Sequence, residues 1–333
     1  MQMSKKAIAL LIGISIILTA FFITVNHTLL DIGDGNCEKY WDTCVYYCQV
    51  AGGCAQEYHY AYPGIMATYP LTLLGFKPFI LAMLFLSIFL PSFLLYRKTN
   101  NLIFSMSWMF LEITYLNGAG MFSQALISSA LMALLLFENW EMNRLTRGAM
   151  YLFMILSHKL GFFLVLFLFV LEGKETQWIF RIKWLKFLGI ILMAVALLIV
   201  CLKLPTPFEE IEFLPSSLYM LWVSIPLILI SIQNQSNVLK NKAIISYCMV
   251  LVFAVALITL YVRADKNIEY IDFTRTVAML DLFSIAFIAK GKHDQKTLTY
   301  LTLLLCVSFF YRWLVSPYAM GDSREDKWTL RIV

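Results

Sequence analysis

The chain has 333 residues, 60% of them hydrophobic and 14% charged, with a formal net charge of +5. A soluble domain carries about 25% charge and about 45–50% apolar residues, so this composition excludes an ordinary soluble enzyme, and the small net charge argues against a nucleic-acid partner. The basic residues gather in short clusters between apolar runs, as in a polytopic membrane protein.

Lys5 and Lys6 precede the apolar run Ala7–Val25. That run is longer than a signal-peptide core and no small-residue cleavage site stands out. It reads as the first spanning helix, with the N-terminus cytoplasmic at a cell membrane. A polar outer loop follows (residues 26–70), with the segment Asp31–Pro70 rich in Asp, Cys, Gly and Tyr. A loop this long calls for a function or a covalent frame. Further apolar runs are Phe79–Tyr96, Leu102–Leu116, Met121–Phe137, Leu185–Leu202, Leu218–Ile232, Ala243–Val262, Thr276–Ala289 and Leu298–Val315. At roughly 20 residues per span, the expected fold is an all-α polytopic membrane protein. It has about ten to eleven transmembrane or re-entrant helices, in one domain covering residues 1–333.

The stretch Gly148–Leu171 has two readings. As one span it buries His158 and Lys159 near the bilayer centre, at a cost of about 2.5–3.5 kcal/mol for the Lys. As a helical hairpin (148–171) its bend, Ser157–Gly161, points to the loop side. Lys5, Lys6, Arg97, Lys98, Arg144 and Arg147 fall inside under either count. The hairpin also places Lys174, Arg181, Lys183, Lys186, Lys240, Lys242, Lys290, Lys292 and Lys296 inside. Before the last helix it leaves only Lys203, Arg263, Lys266 and Arg275 outside, and a single span swaps these two groups. The positive-inside rule therefore selects the hairpin, and bent backbone at that depth is tolerated where it lines a wet cavity.

Most of the chemically capable residues then share the outer face. Asp42 is either a solvated helix cap or a base aimed at a substrate, with Tyr46 four residues on and on the same helix face. Asp31 and Asp34, beside Gly33 and Gly35, read first as turn residues. Tyr58, Tyr60, Tyr62 and Tyr69 form either an interfacial aromatic belt or a stacking wall for a sugar ring. Lys159, with His158, either holds an anionic headgroup or snorkels to the interface. Arg275 either pairs with Asp272 or, like Arg263, grips a phosphate. Glu112 and Asp281 lie within spans and face the bundle interior, Asp281 as a structural partner.

Cys37, Cys44, Cys48 and Cys54 all lie in the outer loop. An even number of thiols there points to disulfides in an oxidising compartment, with the connectivity open. Zinc is the rival reading, and the Cys-x3-Cys spacing matches zinc ribbons poorly. Cys201, Cys248 and Cys306 sit singly in apolar runs, as inert packing residues. No Walker loop, Rossmann glycine pattern, zinc-protease pair or haem signature is present.

Asp42-x3-Tyr46-Tyr47, Ala51-Gly52-Gly53 and Tyr60-Ala-Tyr62-Pro63 together resemble the first outer loop of GT-C superfamily glycosyltransferases. The likeness is to the branch using polyprenyl-phosphomannose donors. Gly118-Ala-Gly120 with Gln124, then Arg144 and Arg147, a short helix and Lys159, are similar to that branch too. The likeness covers about the first 190 residues. Departures are Tyr62-Pro63-Gly64 for the family's Tyr-Pro-Pro, a Gln124 displaced from Gly120, Lys159-Leu160 for Lys-Pro, and the cysteine frame. Phe122-Ser-Gln124 with Ser157-His-Lys159 also resembles EpsG/Wzy-like polysaccharide polymerases.

The resemblance implies transfer of a sugar, mannose or a similar hexose, from a polyprenyl-phosphate donor to a glycan or glycolipid hydroxyl at the extracytoplasmic face. The expected catalytic residues are Asp42 and then Asp34. Lys159, His158, Arg263, Arg275, Tyr46, Tyr60, Tyr62 and Gln124 are expected to bind substrate. Neither a metal nor a cofactor is expected, and the partners are donor, acceptor and the lipid bilayer. The alternatives are a polysaccharide polymerase or a non-enzymatic transporter or flippase of lipid-linked sugars.

Overall fold

The computed structural model describes residues 4–25, 30, 47–48, 50–51, 63–111, 113–114, 122–137, 142–157, 159–172, 220–233, 235–263 and 270–315. These residues are mostly helical, with no strand among them. The chain divides into two compact units, residues 1–165 with 317–333, and residues 166–316. Two helices among the described residues, Lys5–Val25 and Phe76–Thr99, are long and apolar enough to cross a membrane.

The first unit holds α1 (Lys5–Val25), a 3-10 turn (Pro63–Thr68), α2 (Tyr69–Thr72), α3 (Phe76–Thr99) and α4 (Leu102–Ser105). A 3-10 segment (Met106–Phe110), α5 (Phe122–Leu136), α6 (Arg144–Ser157) and the first half of α7 (Lys159–Glu172) follow. α1 and α5 pack on α3. Phe79, Ile80, Met83 and Leu84, at the start of α3, gather Ile23, Tyr47, Leu71 and Leu126 around them. Ile23 is near the end of α1 and Leu126 near the start of α5, so α1 runs antiparallel to α3 and α5 parallel to it. Buried hydroxyls inside these apolar helices bond back to their own turn, as Ser15 does to Leu11 O at 2.7 Å and Ser92 to Ile88 O at 2.8 Å.

The expected span Leu102–Leu116 is corrected. α3 closes on Asn100 in the left-handed region (φ 51°), and Asn101 at once caps α4, its Oδ1 accepting from Phe104 N at 3.0 Å. The α-helix lasts only to Ser105, passes into the 3-10 segment, and ends with Leu111 extended. Side chains divert the backbone here. Ser105 Oγ donates to Leu102 O (2.6 Å) and Thr114 Oγ1 to Trp108 O (2.6 Å). The break also answers a defect in α3. Pro91 has no N–H, which leaves the carbonyl four residues back, on Ser87, without its helical donor. Trp108 Nε1–H donates to that carbonyl at 3.0 Å, with the indole fully buried. Trp108→Phe should therefore cost about 1–3 kcal/mol, the penalty for an orphaned buried carbonyl. In a Pro91→Ala background, where the helical donor returns, the cost should shrink. Equal losses in both backgrounds, measured by unfolding in detergent, would show that this bond is not what matters.

α5 and α6 meet at a basic corner. Arg147, 6% exposed, donates from Nη1 to Phe137 O at 2.9 Å and from Nε to Tyr151 Oη at 3.1 Å. Arg97 and Lys98, from the end of α3, stand over the Phe137 ring at 5.3 and 5.7 Å. Arg147, in the first turn of α6, bonds to the residue that follows α5, so α6 runs back toward the start of α5. At 1.5 Å per residue Ser157 lies about 15 Å from Arg147 along that path, against about 22 Å for the whole of α5. α6 packs on the 3-10 turn Pro63–Thr68 along the way.

The second unit holds the rest of α7, a π-helical turn (Met220–Ser224), α8 (Ile225–Ile232), α9 (Asn237–Arg263), α10 (Tyr270–Lys290) and α11 (Gln295–Val315). α8, α9 and α10 pack against one another. The predicted spans Ala243–Val262, Thr276–Ala289 and Leu298–Val315 fall inside α9, α10 and α11, while Leu218–Ile232 is shared by the π turn and α8. Leu185–Leu202 lies outside the described residues. Asp294 precedes α11, and its carboxyl accepts from Thr297, hydroxyl and backbone N–H, which holds it below the usual carboxylate range.

Candidate functional site

Lys159 is the first residue of α7, and α6 ends at Ser157. The turn from one helix to the other is sharp. A β-carbon on Gly161 would fall on the carbonyl of Met154, seven residues earlier and in the previous helix. A continuous helix would set those two positions about 10 Å apart along its axis, so the chain must turn back on itself here. Glycine is the residue that permits backbone to meet backbone so closely.

Several sequence-predicted features share this end of the first unit. Gln124 lies in the first turn of α5, the end to which α6 returns. Tyr47, five positions after Asp42, is there too. Tyr47 packs edge-on against Phe76 and Phe79 at the start of α3, with ring centroids at 5.2 and 5.6 Å. Cys48 is buried beside it. Free thiols among the described residues are Cys248 and Cys306.

Arg263 is the last residue of α9 and Arg275 lies in the second turn of α10, both in the second unit. Asp34, Asp42, Tyr46, Tyr60, Tyr62, His158, Glu112 and the remaining loop cysteines, Cys37, Cys44 and Cys54, lie outside the described residues.

The arrangement at Lys159 has a definite electrostatic character. The first N–H groups of a helix lack intrahelical acceptors, and the helix dipole adds positive potential at that end. A lysine in this position is locally unfavourable by about 0.3–1 kcal/mol, and a bound anion reverses the sign. Helix N-termini are ready-made phosphate sites for this reason.

Sequence reasoning missed a second polar concentration, inside the second unit. Ser224, Ser231, Tyr247, Asp281 and Ser284 are all fully buried. The signal was present in the spacing. Ser224 and Ser231 are seven apart, and Asp281 and Ser284 three apart, which sets each pair on one helix face.

No family model, curated protein or solved structure matches the chain.

Proposed function

We propose that the chain is a multi-pass membrane glycosyltransferase that moves a hexose from a polyprenyl-phosphate donor to an acceptor hydroxyl at the extracytoplasmic face. The observation that carries the reading is the sharp turn from α6 to α7, where a β-carbon on Gly161 would fall on the Met154 carbonyl. The fourteen-residue helix that follows starts on Lys159, in the first unit that also holds Tyr47 and the start of α5. A lysine at the start of a helix would suit a leaving phosphate.

In the proposed reaction the acceptor oxygen attacks the anomeric carbon as the bond from that carbon to the phosphate oxygen breaks. The proton of the acceptor hydroxyl passes to the Asp42 carboxylate, with Asp34 the second choice, and polyprenyl phosphate departs. A positioned carboxylate base compensates for the weak nucleophilicity of a hydroxyl. Lys159, with Arg275 and Arg263 as further candidates, meets the charge that grows on the leaving group, so it stabilises the transition state more than the ground state. One displacement gives inversion. Tyr46, Tyr60 and Tyr62 would stack on the sugar, with His158 and Gln124 completing the pocket. The four loop cysteines are proposed disulfide partners, which accords with a buried Cys48 that is not among the free thiols.

The experiment is transfer by the purified full chain from a polyprenyl-phosphohexose to a soluble glycan acceptor, with donor affinity measured alongside. Lys159→Ala should weaken donor binding about tenfold or more, the scale of a lost charge-assisted contact of about 1.5–3 kcal/mol. Unchanged affinity would move the phosphate site elsewhere, first to Arg275. Absence of transfer from any such donor would end the glycosyltransferase reading.

A further inference from the structure

Four helix ends come together in the second unit. Gln235, just past α8, donates from Nε2 to Phe287 O in the last turn of α10 at 2.8 Å. Its side chain converges with that of His293 over Gly291, where a β-carbon would meet both. The link from α8 to α9 therefore lies against the link from α10 to α11. A buried seam holds the same helices together further in, where the Tyr247 hydroxyl of α9 meets Ser231 Oγ of α8 and, at 3.0 Å, Ser284 Oγ of α10.

That end of the unit is strongly basic. Lys240 and Lys242 lie in the first two turns of α9, Lys290 closes α10, Lys292 stands in the link and Lys296 is the second residue of α11. Lys240, Lys292 and Lys296 are exposed. Across residues 233–242 and 289–300 the one acid is Asp294, and its carboxyl is engaged by Thr297. Residues 263–275, which lead from α9 into α10 at the other end of those helices, are balanced. They set Arg263, Lys266 and Arg275 against Asp265, Glu269 and Asp272. The excess of positive charge is gathered at one end.

α11 carries this end on into an apolar stripe. Lys296, Tyr300, Leu303 and Val307 recur at spacings of four, three and four, which is one face of a helix. Tyr300 is 71% exposed and Val307 67%, with Leu303 exposed between them. The opposite face, Leu298, Leu301, Leu305 and Phe309, is buried, so α11 is apolar on both sides, as a helix in a membrane is. Along the exposed face tyrosine follows lysine by about 6 Å, and aliphatic side chains continue to about 17 Å. That is the order of a bilayer from headgroup to hydrocarbon, with ammonium groups at the phosphates, tyrosine at the interface and aliphatic groups among acyl chains. A soluble polyanion would answer the lysines and leave the stripe uncovered.

We propose that this face is a seat for an anionic phospholipid, with the headgroup phosphate among Lys240, Lys292 and Lys296 and an acyl chain along Tyr300, Leu303 and Val307. Basic clusters beside membrane helices attract anionic lipid in this way. A zwitterionic lipid would match the stripe equally well but brings no net charge to the lysines, so the seat discriminates between headgroups. The proposal rests on the multi-pass membrane reading above, which puts these lysines on the cytoplasmic side, and is independent of sugar transfer.

The test is native mass spectrometry of the purified full chain in a neutral detergent, with dissociation constants read from lipid adducts on titration. Phosphatidylglycerol should bind at least about tenfold more tightly than phosphatidylcholine. Lys240→Gln, Lys292→Gln and Lys296→Gln should each weaken phosphatidylglycerol about fivefold, the scale for one lysine near an anionic surface, and leave phosphatidylcholine unchanged. Lys77→Gln removes an exposed lysine from the first unit and should change neither. Equal affinity for the two lipids overturns the seat. A loss in Lys77→Gln as large as that in Lys296→Gln overturns it too, since the attraction would then be to net charge alone. Glycerophosphate, a headgroup without chains, should not compete. Displacement of phosphatidylglycerol by an equal concentration of it would make the site one for a soluble anion and end the lipid assignment. Recovery of the chain in the soluble fraction without detergent would overturn the membrane reading and the seat together, whereas the other failures leave that reading standing.

Discussion

Gly161→Ala should open the bend between α6 and α7 and destabilise the protein by at least about 1–3 kcal/mol, the usual range for overpacking a tight site. The upper end is expected because the added methyl would strike the Met154 carbonyl, carbon and oxygen alike, and not the tip of a side chain. Backbone cannot swing aside on a rotamer. One helix must shift, and Lys159, two residues away, shifts with it. Thermal unfolding in detergent measures the loss. Spin labels at Leu145, 80% exposed, and Phe162, 46% exposed, measure the opening. A variant with unchanged stability and an unchanged label distance would mean the two backbones do not meet. Gly148 supplies the control, since a β-carbon there meets nothing within 4 Å, and Gly148→Ala should be close to neutral.

Asp42→Asn should lower sugar transfer by about 10²–10⁴-fold, the contribution of a positioned general base, while leaving donor binding and the fold intact. Asparagine keeps the shape and much of the hydrogen bonding of the aspartate but cannot take the acceptor proton at neutral pH. Its predicted alternative, a helix cap, is served nearly as well by Asn as by Asp. Retained activity with retained stability would therefore assign Asp42 to capping, and transfer to Asp34→Asn as the next test. Loss of activity together with loss of folding would remove Asp42 from the catalytic argument.

How much of this was legible in the sequence depended on whether a residue announced its own environment. Lys159 did. A charged side chain inside an apolar run is costly enough to demand an interruption, and one helix ends at Ser157 and the next starts at Lys159. The apolar runs around Ala7–Val25 and Phe79–Tyr96 were equally plain, since length and hydrophobicity alone define them. Leu102–Leu116 was misleading because its composition is that of a span. What ends the helix there is a carbonyl freed by Pro91 in another helix and claimed by Trp108, a tertiary event that no window of residues contains. The seam of Ser231, Tyr247 and Ser284 was hidden for a related reason. Serine in an apolar helix can bond to its own turn and disappear, so its meeting with a tyrosine from a third helix is visible only once the helices are packed.

The corner built on Phe137 bears on how the first unit meets its surroundings. Cations from α3 and α6 fasten on that one residue at the end of α5, through its ring and through its carbonyl. Those helix ends are pinned at a common height. A bilayer thicker or thinner than the helices is usually met by tilt or by adjustment at the flanks. In the multi-pass arrangement proposed above one flank is locked, so the strain of a mismatched lipid would be taken up at the opposite rim, where α6 turns into α7. Lipid thickness would then act as a setting on the geometry around Lys159, with the Phe137 corner as the fixed point.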